Sequence, residues 1–176
     1  MAGVSPTDLH DLARELLDAS IEALDTIPDY DGDLQGAPDR TFVGYGQTAL
    51  DCCDQLTVHI GAISEGDSAP GSPAASFARI NRVDLVLTTS RCIPIPNANG
   101  TPPPTSAQEE ASRQINADKW ALWNHLFNLI AADLLFSRCC DVMWGSFVPL
   151  QPNGGCGGSR VTITVCFDGY EEVQGT

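Results

Sequence analysis

Three histidines, seven cysteines and a run of spaced carboxylates are the side chains in this 176-residue sequence whose chemistry could go beyond packing. A hydrolase needs a nucleophile, a base and an orienting group brought together. His10, His59 and His125 fall on three separate predicted elements and no motif links them. The expectation is therefore a surface histidine at His10, a strand residue at His59 and a residue off the apolar stripe at His125, with no catalytic residue and no cofactor. The run Gly154 to Gly158 lacks the lysine and hydroxyl of a phosphate loop and precedes a strand, so it reads as a wide hairpin turn.

Thiolates are the preferred structural ligands of zinc, but the spacing does not suit a tetrahedral ion. Cys52 and Cys53 are adjacent, as are Cys139 and Cys140, and there is no Cys-x-x-Cys. No metal is expected. The odd count and the adjacent pairs also argue against a disulfide framework, leaving buried free thiols that pack as small apolar groups. Cys156 and Cys166 could meet across the last hairpin.

The carboxylates form the most informative surface feature. Asp8, Asp11, Glu15, Asp18, Glu22 and Asp25 recur at alternating steps of three and four, which places all six in one arc of a helix with only Arg14 nearby. Like charges at i,i+4 disfavour a helix by about 0.2–0.5 kcal/mol per pair, a cost that a functional role would offset. The readings are a solvated face, a surface for a basic partner, or the wall of a passage that must repel nucleic acid.

The elements that must position these groups are legible from periodicity. Ser5, Pro6, Thr7 and Asp8 form a helix start, and Leu9, Leu12, Ala13, Leu16, Leu17, Ser20 and Leu24 give the core-facing stripe of a helix running to about Leu24. Residues 27–40 read as an exposed connection, and Thr41 to Tyr45 as a short strand. From Gln55, Leu56, Val58, Ile60 and Ala62 alternate with Thr57, His59, Gly61 and Ile63; Val83, Leu85 and Leu87 alternate again within 77–90. The two strands predict a long hairpin with an exposed loop at 64–76. A proline-rich connector at 93–104 leads to a helix capped by Thr105 and Ser106, with Glu109 and Glu110 in its first turn and Ile115, Leu122, Leu126, Leu129 and Ile130 as its apolar stripe. Alternation over Val142 to Leu150 and over Val161 to Phe167 predicts a second hairpin. The fold class is α+β: one domain over 1–176, its single sheet built from two antiparallel hairpins packed against the N-terminal helix and the long central helix.

Composition sets further bounds. With 43% hydrophobic and 18% charged residues the chain is expected to fold. The net charge of −14 and the absence of a basic run argue against nucleic-acid binding, and no signal peptide or membrane span is expected.

Five local strings carry a resemblance: Gly44-Tyr45-Gly46, Asp51-Cys52-Cys53-Asp54-Gln55-Leu56, Arg91-Cys92-Ile93-Pro94, Asp118-Lys119-Trp120-Ala121-Leu122-Trp123, and Gly154-Gly155-Cys156-Gly157-Gly158. With the order of elements, they resemble the tail terminator proteins of siphophages that infect actinobacteria, over about residues 44–167. The resemblance implies a structural virion protein of the tail neck, assembled in the host cytoplasm. It would form a homohexameric ring that caps the tail tube protein, stops polymerisation and joins the tail to the head-tail connector or stopper. The genome would pass through without specific binding, and no membrane would be involved. The acidic arc would face the lumen or a partner, and the loops at 64–76 and 93–104 would carry contacts. Another neck component, a head-tail stopper or tail-completion protein, is the alternative within this class. A small cysteine-dependent enzyme using Cys52 or Cys53 is the alternative from another.

Overall fold

The period of leucines and alanines from Leu9 to Leu24 forms a helix, α1 (Pro6–Asp25), and buries Leu12, Ala13, Leu16, Leu17, Ser20 and Leu24 as the spacing predicts. Ala19 and Ala23 join them, small enough to bring a second helix close. The computed structural model describes residues 6–27, 34–47, 54–66, 80–139 and 141–167. Ser5, Cys52, Cys53, Cys140 and most of the predicted 64–76 loop lie outside them.

The remaining elements follow as β1 (Arg40–Gly44), β2 (Gln55–Gly66), β3 (Ile80–Cys92), α2 (Thr105–Ala131), β4 (Asp141–Trp144), β5 (Val148–Asn153) and β6 (Cys156–Phe167). The fold is α+β. Its six-stranded sheet has the order β1-β2-β3-β6-β4, with β5 also paired to β6. Both helices pack on one face, α1 over β1, β2 and β3, and α2 over β3 and β6. The core between the layers is built from Leu56, Val58, Val83, Leu85, Leu87, Val161, Ile163 and Val165 of the sheet, with Leu122 and Leu126 of α2.

Three features depart from the two-hairpin plan. First, β1 pairs with β2 in parallel, Arg40 opposite Gln55 and Gly44 opposite His59, so the sheet is mixed. Second, the stretch from Val142 to Leu150 is not one strand. It breaks after Trp144 because the chain crosses close to β6 at Gly145, where an added Cβ would lie 2.6 Å from the Thr162 carbonyl oxygen. The Gly145 N–H donates to that oxygen at 2.9 Å, and the chain resumes as β5. Third, the glycine-rich turn is tight and not wide. Asn153 pairs with Cys156, so only Gly154 and Gly155 turn, with φ of 57° and 85°. A two-residue hairpin loop that matches strand twist requires positive φ at both positions, and two glycines adopt it without strain.

Helix α2 also differs from its reading. Its N-cap is Pro104, with no side-chain cap, and no acidic residue stands in its first turn; Glu109 and Glu110 come after it. Its fully buried row is Gln114, Asp118, Leu122 and Leu126, each four residues from the last, whereas Ile115, Leu129 and Ile130 are half-buried. The helix ends with Asp133 at φ 56° and the Leu134 N–H returning to the Leu129 carbonyl at 2.9 Å. This left-handed cap turns the chain so that Leu135 and Phe136 re-enter the core.

The 93–104 connector is exposed beyond Pro94, as expected, but it has a defined tip. Asn97 Oδ1 accepts the N–H groups of Asn99 and Thr101, and the Asn97 N–H donates to the Thr101 carbonyl.

Candidate functional site

Each carboxylate of the predicted arc has its own local situation. Asp8 lies in α1, but its side chain is outside the described set. Asp11 is exposed, and Asp18 is exposed beside Arg14, whose Nε lies 3.1 Å from Asp18 Oδ1. Both partners of that pair are more than half exposed, so it contributes little. Glu15 does not belong to an open face: it is half-buried and accepts the Phe136 N–H at 3.0 Å. Phe136 is held at φ 61°, a conformation that costs a side-chain-bearing residue about 1–2 kcal/mol, and the Glu15 bond helps to fix it. Glu22 Oε2 lies 3.8 Å from His125 Nε2, and Asp25 Oδ1 accepts the Ala37 N–H at 2.9 Å. The arc exists, but Glu15 and Asp25 are engaged within the chain, leaving Asp11, Asp18 and Glu22 to face outward.

The histidines are as separate as the sequence suggests, on α1, β2 and α2. Among the described residues, no group of three or more His, Cys, Asp or Glu could hold a metal ion, and no helix is long and apolar enough to cross a membrane. The cysteine reading needs two corrections. Cys156 is disulfide-bonded, so the thiols are not all reduced, while Cys92, Cys139 and Cys166 keep theirs. Cys156 and Cys166 do not meet across a hairpin, because both lie on β6, ten residues or about 33 Å apart along an extended strand.

The structure joins residues that the sequence left apart. Arg91 of β3 and Asp118 of α2 are almost fully buried and form a two-point ion pair, Nε to Oδ2 at 2.8 Å and Nη2 to Oδ1 at 3.1 Å. Arg91 Nη2 also donates to the Gly36 carbonyl at 2.6 Å. Gln114 Nε2 donates to Asp118 Oδ1 and to the Gln35 carbonyl, and its Oε1 accepts the Gln35 N–H. This polar clasp fastens the segment before β1 to α2 and to the end of β3. Next to it, the Ile93 N–H donates to the Gly155 carbonyl at 2.7 Å and the Cys92 N–H to Asp54 Oδ1 at 3.3 Å. Four of the five strings that carry the resemblance therefore converge on one corner, where Gln35, Asp54, Arg91, Ile93, Glu110 and Gln114 help line a cleft of about 390 Å³. A signal for the clasp was present: Gln114 and Asp118 extend the i+4 row of Leu122 and Leu126 into polar residues, which places a carboxylate on a buried stripe.

Two surfaces remain open. One is an aromatic row on the outer side of α2, with Trp120 67%, Trp123 38% and Phe127 50% exposed, followed by Leu134 at 70%. Trp123 stacks on Phe127 with centroids 5.9 Å apart and lies 5.6 Å from Trp144 of β4, which meets Phe147 edge-on. These contacts pack Trp123 and Phe127 together while leaving part of each ring to solvent.

The other is the sheet face that bears no helix. His59, Val86 and Thr162 form one row across β2, β3 and β6. With Gln47, Ser146, Val148 and Arg160 they line a pocket of about 310 Å³. His59 is 7% exposed, and its Nδ1 is buried without a hydrogen-bond partner. Burial lowers the His59 pKa below its usual value and the nearby Arg160 charge acts in the same direction, so the ring is neutral at pH 7.

No protein-family model matches this chain, and no curated protein is significantly similar to it in sequence.

Proposed function

We propose that this chain is a structural subunit of a phage tail neck, a tail terminator that forms a ring on the last ring of the tail tube, stops its growth and joins it to the head connector. The observation that carries this reading is the aromatic row of α2. Trp120, Trp123, Phe127 and Leu134 present apolar surface to water, with Trp123 and Phe127 stacked, and exposed apolar patches mark sites that associate with other proteins. Tryptophan and phenylalanine are also among the residues enriched where a small patch dominates binding. The sequence strings supply the family, and their convergence on the clasp supports the resemblance as one structural unit rather than scattered matches. Capping would be differential binding: one ring face matches the tube, and the other offers nothing on which a further tube subunit can add.

A particle-assembly experiment tests the reading. Replacing Trp120 and Phe127 with serine removes exposed apolar surface without opening the core, so the chain is expected to keep its thermal unfolding midpoint and lose its binding to tail-tube subunits. Particles assembled with the variant are then expected to carry abnormally long tails under electron microscopy. Tailless heads that leak DNA would point instead to a head-tail stopper, and normal tails would refute a role for the row.

A further inference from the structure

The chain sorts its charges between its two layers. On the outer side of α1, Asp11, Asp18 and Glu22 face solvent, with Arg14 beside Asp18. The open sheet face has the opposite balance. Strand alternation and register place Arg40, Arg82 and Arg160 there, against Asp84 and Asp141. Both aspartates are already engaged: Asp84 Oδ1 accepts the Thr164 hydroxyl at 2.6 Å, and Asp141 Oδ1 accepts the Val142 N–H at 2.9 Å. Arg82 and Arg160 are exposed. In a chain of net charge −14, a sheet face whose described residues bring three arginines to two aspartates departs from the overall balance.

The pocket on that face has a matching chemistry. Among the described residues, every polar side chain lining it, Gln47, His59, Ser146, Arg160 and Thr162, can donate a hydrogen bond, and none is a carboxylate. The His59 Nδ1 is buried with no hydrogen-bond partner. Donors around a cation suit a carboxylate, which accepts only.

We propose that this pocket receives a carboxylate from α1 of a second copy of the chain, Asp11 or Asp18, so that the open sheet face of one subunit docks on the helical face of the next. The proposal rests on the ring reading and deepens it. The acidic and basic surfaces lie on opposite layers of one chain, so each copy offers one to each neighbour, and such a head-to-tail contact closes a ring when its rotation permits. The acidic arc then serves as the inter-subunit contact and not as the channel wall.

The test uses the full chain, with its mass followed by sedimentation and native mass spectrometry. The wild type is expected to self-associate at ~0.1 M salt and to dissociate towards ~1 M, where the screening length falls from about 10 to about 3 Å. Arg160→Glu is expected to weaken association by about 30-fold or more while the circular dichroism and melting stay unchanged, and Asp11→Arg with Asp18→Arg is expected to do the same. Mixing the two variants decides the matter. Each restores the other's complement, so an equimolar mixture is expected to assemble where neither does alone. Should Arg160→Glu fail to fold, Arg160→Gln takes its place with the same expectation in weaker form. If the wild type assembles and the variants assemble equally well, the proposed contact is wrong while the ring reading stands. A wild type that stays monomeric at every salt and concentration removes the ring reading as well. If acetate protects His59 in a nuclear magnetic resonance titration but the mixture does not assemble, the pocket is only a small-anion site and the copy-to-copy contact is overturned.

Discussion

Strand β3 shows the molecule's two faces within one segment. Its odd positions, Val83, Leu85, Leu87, Thr89 and Arg91, point to the helices and are all buried, whereas its even positions, Arg82, Asp84, Val86, Thr88 and Ser90, point to the open face. The covered side is apolar until its last turn, where Arg91 meets Asp118. From Arg82 to Ser90 the other side is a mixture of charges, one valine and two hydroxyls, Thr88 and Ser90, which are themselves buried. If the proposed docking holds, one strand contributes to stability on one side and to recognition on the other, and substitutions on the two sides are expected to have effects of different kinds.

The largest expected effect is at the polar end of the covered face. Asp118→Ala leaves the Arg91 guanidinium buried without its carboxylate, and breaking a buried pair from one side costs about 3–5 kcal/mol. Chemical denaturation is expected to show a lower midpoint by that amount. Replacing both Arg91 and Asp118 with apolar residues of similar volume is expected to recover much of it, because no lone charge remains.

Next comes the apolar part of the same face. Leu85→Ala empties a fully buried position and is expected to cost about 2–5 kcal/mol. On the opposite face, Arg160→Ala is expected to change folding stability by no more than about 0.5 kcal/mol, as at other exposed sites. Equal losses from the two would break the contrast between the faces.

The smallest effect is expected at His59, a buried titratable group of the open face whose pKa is displaced. Its pKa is lowered on folding, so below about 6.5 the unfolded chain takes up the proton first and stability falls as the pH drops towards the folded value. Between pH 7 and 5, His59→Gln is expected to show a shallower loss of stability than the wild type, measured by urea unfolding across the range. An unchanged slope would place the titration elsewhere.

Much of the covered face could be read in advance. The leucine spacing of α1 and the alternation in β2, β3 and β6 follow directly from burial of one side, and that pattern survives any uncertainty about neighbours. What escaped reading depends on contacts between distant residues. Nothing in Arg40 to Gly44 marks a strand as parallel, since that is set by the partner. The break at Gly145 arises from the approach of Thr162, and the narrow turn at Gly154 and Gly155 from the pairing of Asn153 with Cys156. The clasp joins residues 27 apart through a strand, a connector and a helix. The carboxylates of the arc lie on α1, but periodicity could not show that Glu15 would be taken by Phe136, 121 residues away.

The side of β6 turned away from β3 is met by two short strands, four residues of β4 and six of β5, and β5 contains Pro149 and Pro152. A proline nitrogen carries no hydrogen, so this rim cannot supply the unbroken row of backbone donors on which another chain would lay down a strand. Copies of the molecule brought close at high concentration are therefore steered away from growing as a continuous cross-strand fibril. Whatever meets this rim must recognise side chains, and recognition of that kind ends with the partner it fits.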